Sequence, residues 1–406
     1  MVNQTLSDVL DKDSKNKRES KRILIIDFCN FEDYPIGGYL SFVQNMMVSF
    51  ENEVALVGIT TEKNEPIGQW FKKKINGIMF DFFAYAYYSK SKTKHLIPDR
   101  LASYFLIKYY KDKIKAINIP NIFIQRQEVL MALRELQSFN VCFCFAGLEN
   151  PLAISKYWYS NYIAKNFEQI FFKRLVNVDV ILASGDEISI KDMIFRSKEL
   201  IISSFVTQFP SRINTDIFRP RIKSEVRIQL RMPSESLIIV TTGRLGWAKG
   251  WKFMIDCFCL FETIKPGSLF YFIGEGEDLG KINDYIDLKG KAGKIILAGK
   301  KNADEVALFL NAADLFIMGS YKEGWSTSLI EAIACGTPGC VTNFSSAKQI
   351  IIEGKNGYVI DEHNSDIFVT GMLSAIELKK PVFNENIQAY SASKLKDDLL
   401  KTWKLL

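Results

Sequence analysis

Histidine is almost missing from this chain: two residues in 406, His95 and His363. That leaves little material for a histidine-ligated metal site or a Ser-His-Asp triad. No run reaches the ~18 consecutive apolar residues of a membrane-spanning helix; the longest candidate, Ile78 to Tyr88, is short and carries Asp81. Residues Met1 to Lys21 lack the apolar centre of a signal peptide and read as a polar leader, 1–20, ahead of the first strand. A cytoplasmic protein is expected. A disulfide framework is missing too, since the seven cysteines are odd in number. Cys142, Cys144, Cys257 and Cys259 lie in apolar runs with a spacing unlike a zinc ribbon, so they read as reduced structural thiols. There is no internal repeat or low-complexity tract.

What is present suits ordinary globular cores: 48% of residues are apolar and 24% charged. The length favours two domains. Short apolar runs alternate with longer amphipathic ones, the sign of α/β units. Strands are expected at Arg22–Asp27, Val54–Ile59, Ile122–Gln125, Val141–Phe145 and Asp179–Ala183, then at Leu237–Thr242, Leu269–Ile273, Lys294–Leu297 and Leu315–Met318. Helices are expected at Tyr39–Phe50 and Trp251–Ile264, the second placing Met254, Ile255, Phe258 and Phe261 on one face. Phe-Pro, Asn-Thr-Asp and Arg-Pro interrupt the pattern at 209–221, read as an interdomain segment. The division is therefore 21–208, an N-terminal doubly wound domain, and 222–380, a second one. Residues 381–406 form a helical tail expected to pack back toward the first domain. Two doubly wound domains of this kind would leave a cleft for a ligand.

The formal charge of +6 is unevenly spread. Between Lys72 and Lys115 there are 11 basic and 3 acidic residues and ten aromatic ones, among them Phe80, Phe82, Phe83, Tyr85, Tyr87, Tyr88, Tyr104 and Tyr109. Lysines around rings suit an anionic membrane surface. A strand with buried rings followed by a solvated basic loop accounts for the same residues. A nucleic-acid groove would use similar chemistry but is the weakest of the three readings, and no nucleic-acid partner is expected.

Three motifs carry chemistry. Gly243-Arg-Leu-Gly-Trp-Ala-Lys-Gly250 follows a strand and precedes a helix, and Arg244 and Lys249 would offer two cations to a diphosphate. An isolated Arg–Lys pair is also commonly just solvated. Glu323 to Pro338 follows the strand ending at Met318, with a helix expected from Ser326. Thr327 and Ser328 would present free N–H groups to an anion, and Glu323 and Glu331 could accept hydrogen bonds from sugar or ribose hydroxyls. A helix-capping carboxylate and a solvated one are the plainer alternative. Phe272-Ile-Gly-Glu-Gly-Glu-Asp278 brings Gly274 and Gly276 to a strand end, without the third glycine of a dinucleotide fingerprint.

In this order, and with Asn214-Thr-Asp-Ile-Phe-Arg-Pro220, Gly336 and Pro338, these residues resemble glycosyltransferase family 4, the group 1 glycosyltransferases of the GT-B fold. The match covers about 170 residues. Gly37-Gly38 is similar to the family's glycine loop facing donor phosphate and acceptor. Gly147-Leu-Glu-Asn-Pro151 follows a strand where many members carry a histidine near the donor sugar; here Cys144, Phe145 and Ala146 stand nearby. Gln349, after Ser345-Ser346-Ala347, departs from the family's usual glutamate after a glycine pair.

The resemblance implies an α/β protein with the GT-B architecture, two Rossmann-like doubly wound domains facing across a cleft, with 21–208 on the acceptor side and 222–380 binding the nucleotide sugar. It implies retaining transfer from a UDP-, GDP- or ADP-type sugar without metal or other cofactor, to a glycan or lipid-linked acceptor. Arg244, Lys249 and Glu323 would be catalytic. Gly37, Gly38, Gly243, Gly274, Trp325, Ser326, Thr327, Ser328 and Glu331 would bind the donor, and Glu149 and Asn150 are candidates for contact with sugar or acceptor. A bacterial surface polysaccharide pathway, capsule or lipopolysaccharide, would suit such an enzyme, held peripherally on the inner face of the membrane through 72–115. The alternatives are a catalytically degenerate partner or scaffold subunit, and a nucleotide-sugar epimerase on the same fold.

Overall fold

Alternate residues of the first strand, β1 (Ile23–Ile26), face opposite ways, and both ways are apolar. Ile23 and Ile25 pack with Val43, Met46 and Phe50 of the Gly38–Phe50 helix, while Leu24 and Ile26 pack with Ile107 and Leu130. A strand covered on both faces belongs in a parallel sheet with helices on either side. In the computed structural model, which describes residues 23–405 except 36, 91–97, 134–137, 151, 154–159 and 383–385, there are two such sheets. The leader 1–20, Arg22 and His95 lie outside the described residues.

The first sheet adds β2 (Val54–Thr60), β3 (Trp70–Ile75), β4 (Ile78–Tyr87), β5 (Asn121–Ile124), β6 (Asn140–Phe145), β7 (Val180–Ala183) and β8 (Val206–Gln208). Their order is β3-β4-β2-β1-β5-β6-β7-β8, parallel throughout except for the antiparallel β3–β4 pair. Most of the aromatic residues between 72 and 88 belong to this hairpin: Phe80, Phe82, Phe83 and Tyr85 are core side chains. The lysines of β3 are paired as well. Lys73 is buried, 3.0 Å from Glu65 and 3.3 Å from Glu32, and Lys72 meets Asp81 at 2.8 Å. The Asp99–Lys115 helix differs, since it leaves Leu101, Phe105 and Tyr109 exposed.

The second sheet holds β9 (Ile238–Thr242), β10 (Leu269–Ile273), β11 (Ile295–Gly299), β12 (Leu315–Met318), β13 (Gly339–Thr342) and β14 (Gly357–Ile360). All six are parallel, in the order β11-β10-β9-β12-β13-β14. Met254, Ile255, Phe258 and Phe261 form the buried face of the Trp251–Ile264 helix. Asp314, just before β12, accepts hydrogen bonds from the Ile238 N–H (2.8 Å), Arg227 (2.6 Å) and Lys223 (2.8 Å), joining two strands to the Lys223–Gln229 helix.

The chain divides into two units, one containing the described residues up to Phe209 and those from Leu395 on, the other Pro210–Lys394. Of the segment 209–221, read from sequence as interdomain, Phe209 belongs to the first unit and 210–221 lie inside the second, where Ile213 and Phe218 join the core and Ile213 N–H donates to Tyr390 (2.8 Å). Val382 and Tyr390 join the same core. Only the Leu395–Thr402 helix and the residues after it pack in the first unit. Leu395, Leu399, Leu400 and Trp403 enter its core, and the Trp403 indole donates to Asn140 (2.9 Å).

Candidate active site

In the second sheet the winding reverses between β9 and β12, and a ligand of such a sheet sits at the carboxyl ends beside that reversal. The loop after β9 is tied to the end of β10 by hydrogen bonds from Gly243 N–H to Ile273 (3.0 Å) and Leu245 N–H to Glu275 (2.8 Å). This approach is too close for any side chain at Gly274: a Cβ there would lie 1.9 Å from the Gly243 carbonyl oxygen. Gly250, with φ +67°, would place a Cβ 1.8 Å from the Gly319 carbonyl oxygen. The glycines read from the motif are therefore what lets three strand ends crowd together.

Lys249 is thereby aimed at the start of the Thr327–Ala334 helix. Its ammonium donates to Glu323 Oε2 at 2.6 Å. A Cβ on Gly243 would stand 3.6 Å from Ser328 Oγ and 3.9 Å from Lys249 Nζ, so Gly243, Lys249, Glu323 and Ser328 surround one small space. The two loops are joined by Tyr321 N–H donating to Ala248 (2.9 Å). Glu331 is half-buried one turn into the helix, and desolvation pushes its carboxyl up to about 7 against the pull of Lys249. Arg244 stands apart. Its side chain is 68% exposed and only 3.9 Å from Glu277, so it is a loosely held cation at the rim.

Of the remaining second-unit candidates, Ser326 has its hydroxyl committed as the helix cap, accepting from Leu329 N–H at 3.3 Å. The first N–H groups of the helix, those of Thr327 and Ser328, have no intrahelical acceptor by the geometry of a helix start. Trp325 is buried with its indole Nε1 unpartnered, and Thr242 Oγ1 and Ser320 Oγ are likewise buried without partners. Buried polar atoms are seldom left so. They give the strand ends hydrogen-bonding capacity that a ligand can use. Thr242 and Ser320 escaped the sequence reading, although each is a polar residue directly at the end of an apolar run.

In the first unit Gly37 and Gly38 open the Gly38–Phe50 helix, exposed, with no atom within 4 Å of a Cβ at either. Glu149 is exposed and lines a polar pocket with Gly147. Asn150 is already committed: its amide donates to the Ala164 carbonyl of the Ser160–Leu175 helix (2.9 Å) and accepts from Leu152 N–H (3.0 Å). Cys144 and Phe145 are buried in β6. Gln349 lies in the short Ala347–Ile350 helix. The sequence reading missed the cluster just beyond β1 and β5, namely Asp27, Gln125, Arg126, Gln127 and Glu128, of which the last four line the same pocket.

Residues 222–392 match the family described as glycosyl transferases group 1. This stretch belongs to that family. The group 1 region thus takes in the whole Lys249–Glu323–Glu331 cluster. The chain is 24% identical over 161 residues to the D-inositol 3-phosphate glycosyltransferase of an Arthrobacter species, 38% of each chain. To the UDP-Gal:alpha-D-GlcNAc-diphosphoundecaprenol alpha-1,3-galactosyltransferase of Escherichia coli it is 24% identical over 189 residues, 45% of this chain and 48% of that one. The chain thus spans less than half the length of these curated relatives. The sucrose-phosphate synthase structure from Thermosynechococcus elongatus superposes with a TM-score of 0.74 over 94% of this chain and 98% of its own, at 15% identity. The fold is GT-B, as the sequence resemblance implied.

Proposed function

We propose that this protein is a retaining glycosyltransferase, moving a sugar from a nucleotide diphosphate sugar to a glycan or lipid-linked acceptor. The observation that carries this reading is the Lys249–Glu323 pair beside Ser328 and the open start of a helix, at the carboxyl ends of β9 and β12. Fixed donors aimed at one point are what a departing diphosphate needs, since negative charge grows there as the glycosidic bond breaks. Each such donor is worth about 3 kcal/mol at the transition state. Lys249 neutralises the leaving phosphate, with Arg244 closing from the rim and the Thr327 and Ser328 N–H groups supplying further hydrogen bonds. Glu323 orients the donor sugar and Glu331 accepts from the ribose hydroxyls.

In the transfer step the acceptor hydroxyl oxygen bonds to the anomeric carbon on the face the phosphate leaves. The C–O bond to phosphate breaks, its electron pair stays on the phosphate oxygen, and that oxygen takes the acceptor's proton. No base is required of the protein. The chemistry is metal-independent, so turnover in EDTA should equal turnover without it. The Escherichia coli relative, named for a UDP-Gal donor and an alpha-D-GlcNAc-diphosphoundecaprenol acceptor, supports a lipid-linked acceptor of the kind used in bacterial surface polysaccharide assembly. Among the described residues no helix is long and apolar enough to cross a membrane. The exposed Leu101, Phe105 and Tyr109, four residues apart on one helix carrying Lys108 and Lys111, support peripheral attachment to an anionic cytoplasmic face.

The deciding experiment is a donor screen. Thermal shift and nucleotide release are followed with UDP-, GDP- and ADP-sugars, with Lys249→Ala as control. Stabilisation by one nucleotide that is lost in the variant supports the reading and identifies the donor. No response to any of them overturns it in favour of a partner subunit.

A further inference from the structure

Three stacked rings stand on the surface of the second unit beside the Lys249–Glu323 pair. Trp247 is 64% and Tyr321 46% exposed, and His363, one of the two histidines, is exposed as well. Trp247 and Tyr321 stack with ring centroids 5.9 Å apart and planes at 29°, Tyr321 and His363 with centroids 4.4 Å apart and planes at 18°. The row continues inward. His363 lies 5.1 Å from Phe253, and Phe253 lies 5.1 Å from Phe368, which is fully buried in the Ser365–Ile376 helix. Stacking holds the outer rings in place without burying them, and the core holds the row.

The outer rings come from three loops, those after β9, β12 and β14, and their places in the loops matter. Trp247 opens the short 3-10 turn Trp247–Lys249, two residues before Lys249. Tyr321 comes two residues before Glu323. The two loops therefore meet ring to ring, and again through the Tyr321 N–H bond to Ala248 (2.9 Å), beside the point where Lys249 reaches Glu323 at 2.6 Å. The third loop fixes the base of this contact. A carbonyl oxygen can only accept, so His363 Nε2 donates to that of Gly319 (3.2 Å), the same oxygen that leaves no room for a side chain at Gly250. Arg244, on the β9 loop but beyond the rings, is held only at 3.9 Å from Glu277.

We propose that Trp247, Tyr321 and His363 form a clamp that sets the distance between Lys249 and Glu323, which makes them positioning residues for the transfer step. The inference rests on the transferase reading for the step it serves. Lys249 meets the departing phosphate and Glu323 the donor sugar, so their separation must match the donor across the bond that breaks. A misplacement of about 1 Å at such a site costs about 100-fold in rate. Without the rings the loops would carry the same charges and lose their alignment.

The test is steady-state transfer by the full-length protein with the nucleotide sugar it uses, read beside hydrogen exchange of the ligand-free protein. Trp247→Ala should lower kcat at least tenfold with the donor KM within about threefold. Trp247→Phe, which keeps a ring to stack, should recover kcat to within about threefold of wild type. The ring acts through Lys249, so adding Trp247→Ala to Lys249→Ala should cost less than about threefold more. The backbone of 243–250 and 319–324 should exchange at least tenfold faster in Trp247→Ala than in wild type or Trp247→Phe, with β9 and β12 unchanged. Tyr321→Leu against Tyr321→Phe repeats the comparison on the other loop, and decides the matter should Trp247→Ala fail to fold. An unchanged kcat, a loss confined to KM, full additivity with Lys249→Ala, or unchanged exchange overturns the proposal. The two readings fail separately. Loosened loops in a protein whose wild type transfers no sugar leave the clamp and remove the transferase, whereas wild-type kcat in Trp247→Ala does the reverse.

Discussion

Glu331 illustrates a residue kept at some expense to the fold. Its carboxyl is pushed from the usual carboxylate range up to about 7 by desolvation. A carboxyl raised in the folded state favours folding while it is protonated, below its unfolded value near 4.5. That contribution is lost as pH rises through about 7, where the folded protein must hold the charged form. Glu331→Gln should therefore raise the melting temperature of the ligand-free protein above pH 7, by the equivalent of about 1–3 kcal/mol, with little effect near pH 4.5. The same change should weaken donor binding at least tenfold if the ribose reading is right. A variant neither stabilised at pH 8 nor weakened toward donor would remove both arguments. Lys249→Ala should cut transfer by about 10²-fold or more with its melting curve little changed, since the pair it breaks is partly solvated and each lost donor costs about 3 kcal/mol. Single-turnover rates and melting curves check this together. The site residues legible in sequence were those set in motifs anchored by glycines under backbone constraint. Gly274 and Gly250 tolerate no side chain, and such glycines stand out between a strand and a helix. Gln125, Gln127 and Glu128 did not stand out, because polar residues after a strand read as a solvated turn and their burial comes from the surrounding fold.

At the scale of elements, the Thr327–Ala334 helix starts where the sequence put it because Ser326 caps it. Ser326→Ala should cost about 1 kcal/mol of stability and loosen the N–H groups offered to the phosphate, seen as a raised KM for the donor with a smaller change in kcat. Core strands such as β1 and β9 were readable as unbroken apolar runs. The β3 strand was not, because Lys72, Lys73 and Lys74 give it the look of a basic surface loop, and only its pairing with β4 and the burial of Lys73 against Glu65 reveal it. Four-residue β13, starting with a glycine, has too little pattern of its own and takes its register from β12 and β14. That assignment changes the membrane argument as well: the rings of Phe80, Phe82, Phe83 and Tyr85 are core, whereas Leu101, Phe105 and Tyr109 form an exposed apolar stripe on the Asp99–Lys115 helix. Leu101→Ser with Phe105→Ser and Tyr109→Ser should reduce binding to anionic vesicles at low salt at least tenfold, measured by co-sedimentation. Wild-type protein that fails to sediment would dismiss the surface.

At the scale of the whole molecule, the chain leaves its first unit at Phe209 and returns to it at Leu395. Both units are largely parallel sheets whose winding reverses once, β1/β5 in the first and β9/β12 in the second, as the alternating pattern of the sequence implied. The sequence did not show that residues 210–221 are core rather than linker, since Ile213 and Phe218 are buried by contacts with residues far along the chain. Removing residues 395–406 should destabilise the first unit selectively. It takes Leu395, Leu399, Leu400 and Trp403 from a core shared with the Gly38–Phe50 helix, and losing one such large side chain costs about 3–5 kcal/mol. In a thermal scan the Pro210–Lys394 unit should keep its transition while that of the first moves down; an unchanged first transition would show the tail to be dispensable.

This return of the chain also sets an order of events during synthesis. Domains made first generally fold first as they emerge. Here the unit begun first cannot close its core until residues 395–406 have been translated, whereas Pro210–Lys394 is a continuous stretch that is complete before them. The unit that is begun earlier is thus the one that finishes folding later. A stop codon in place of Leu395 would leave the second unit whole and the first without the Leu395–Thr402 helix.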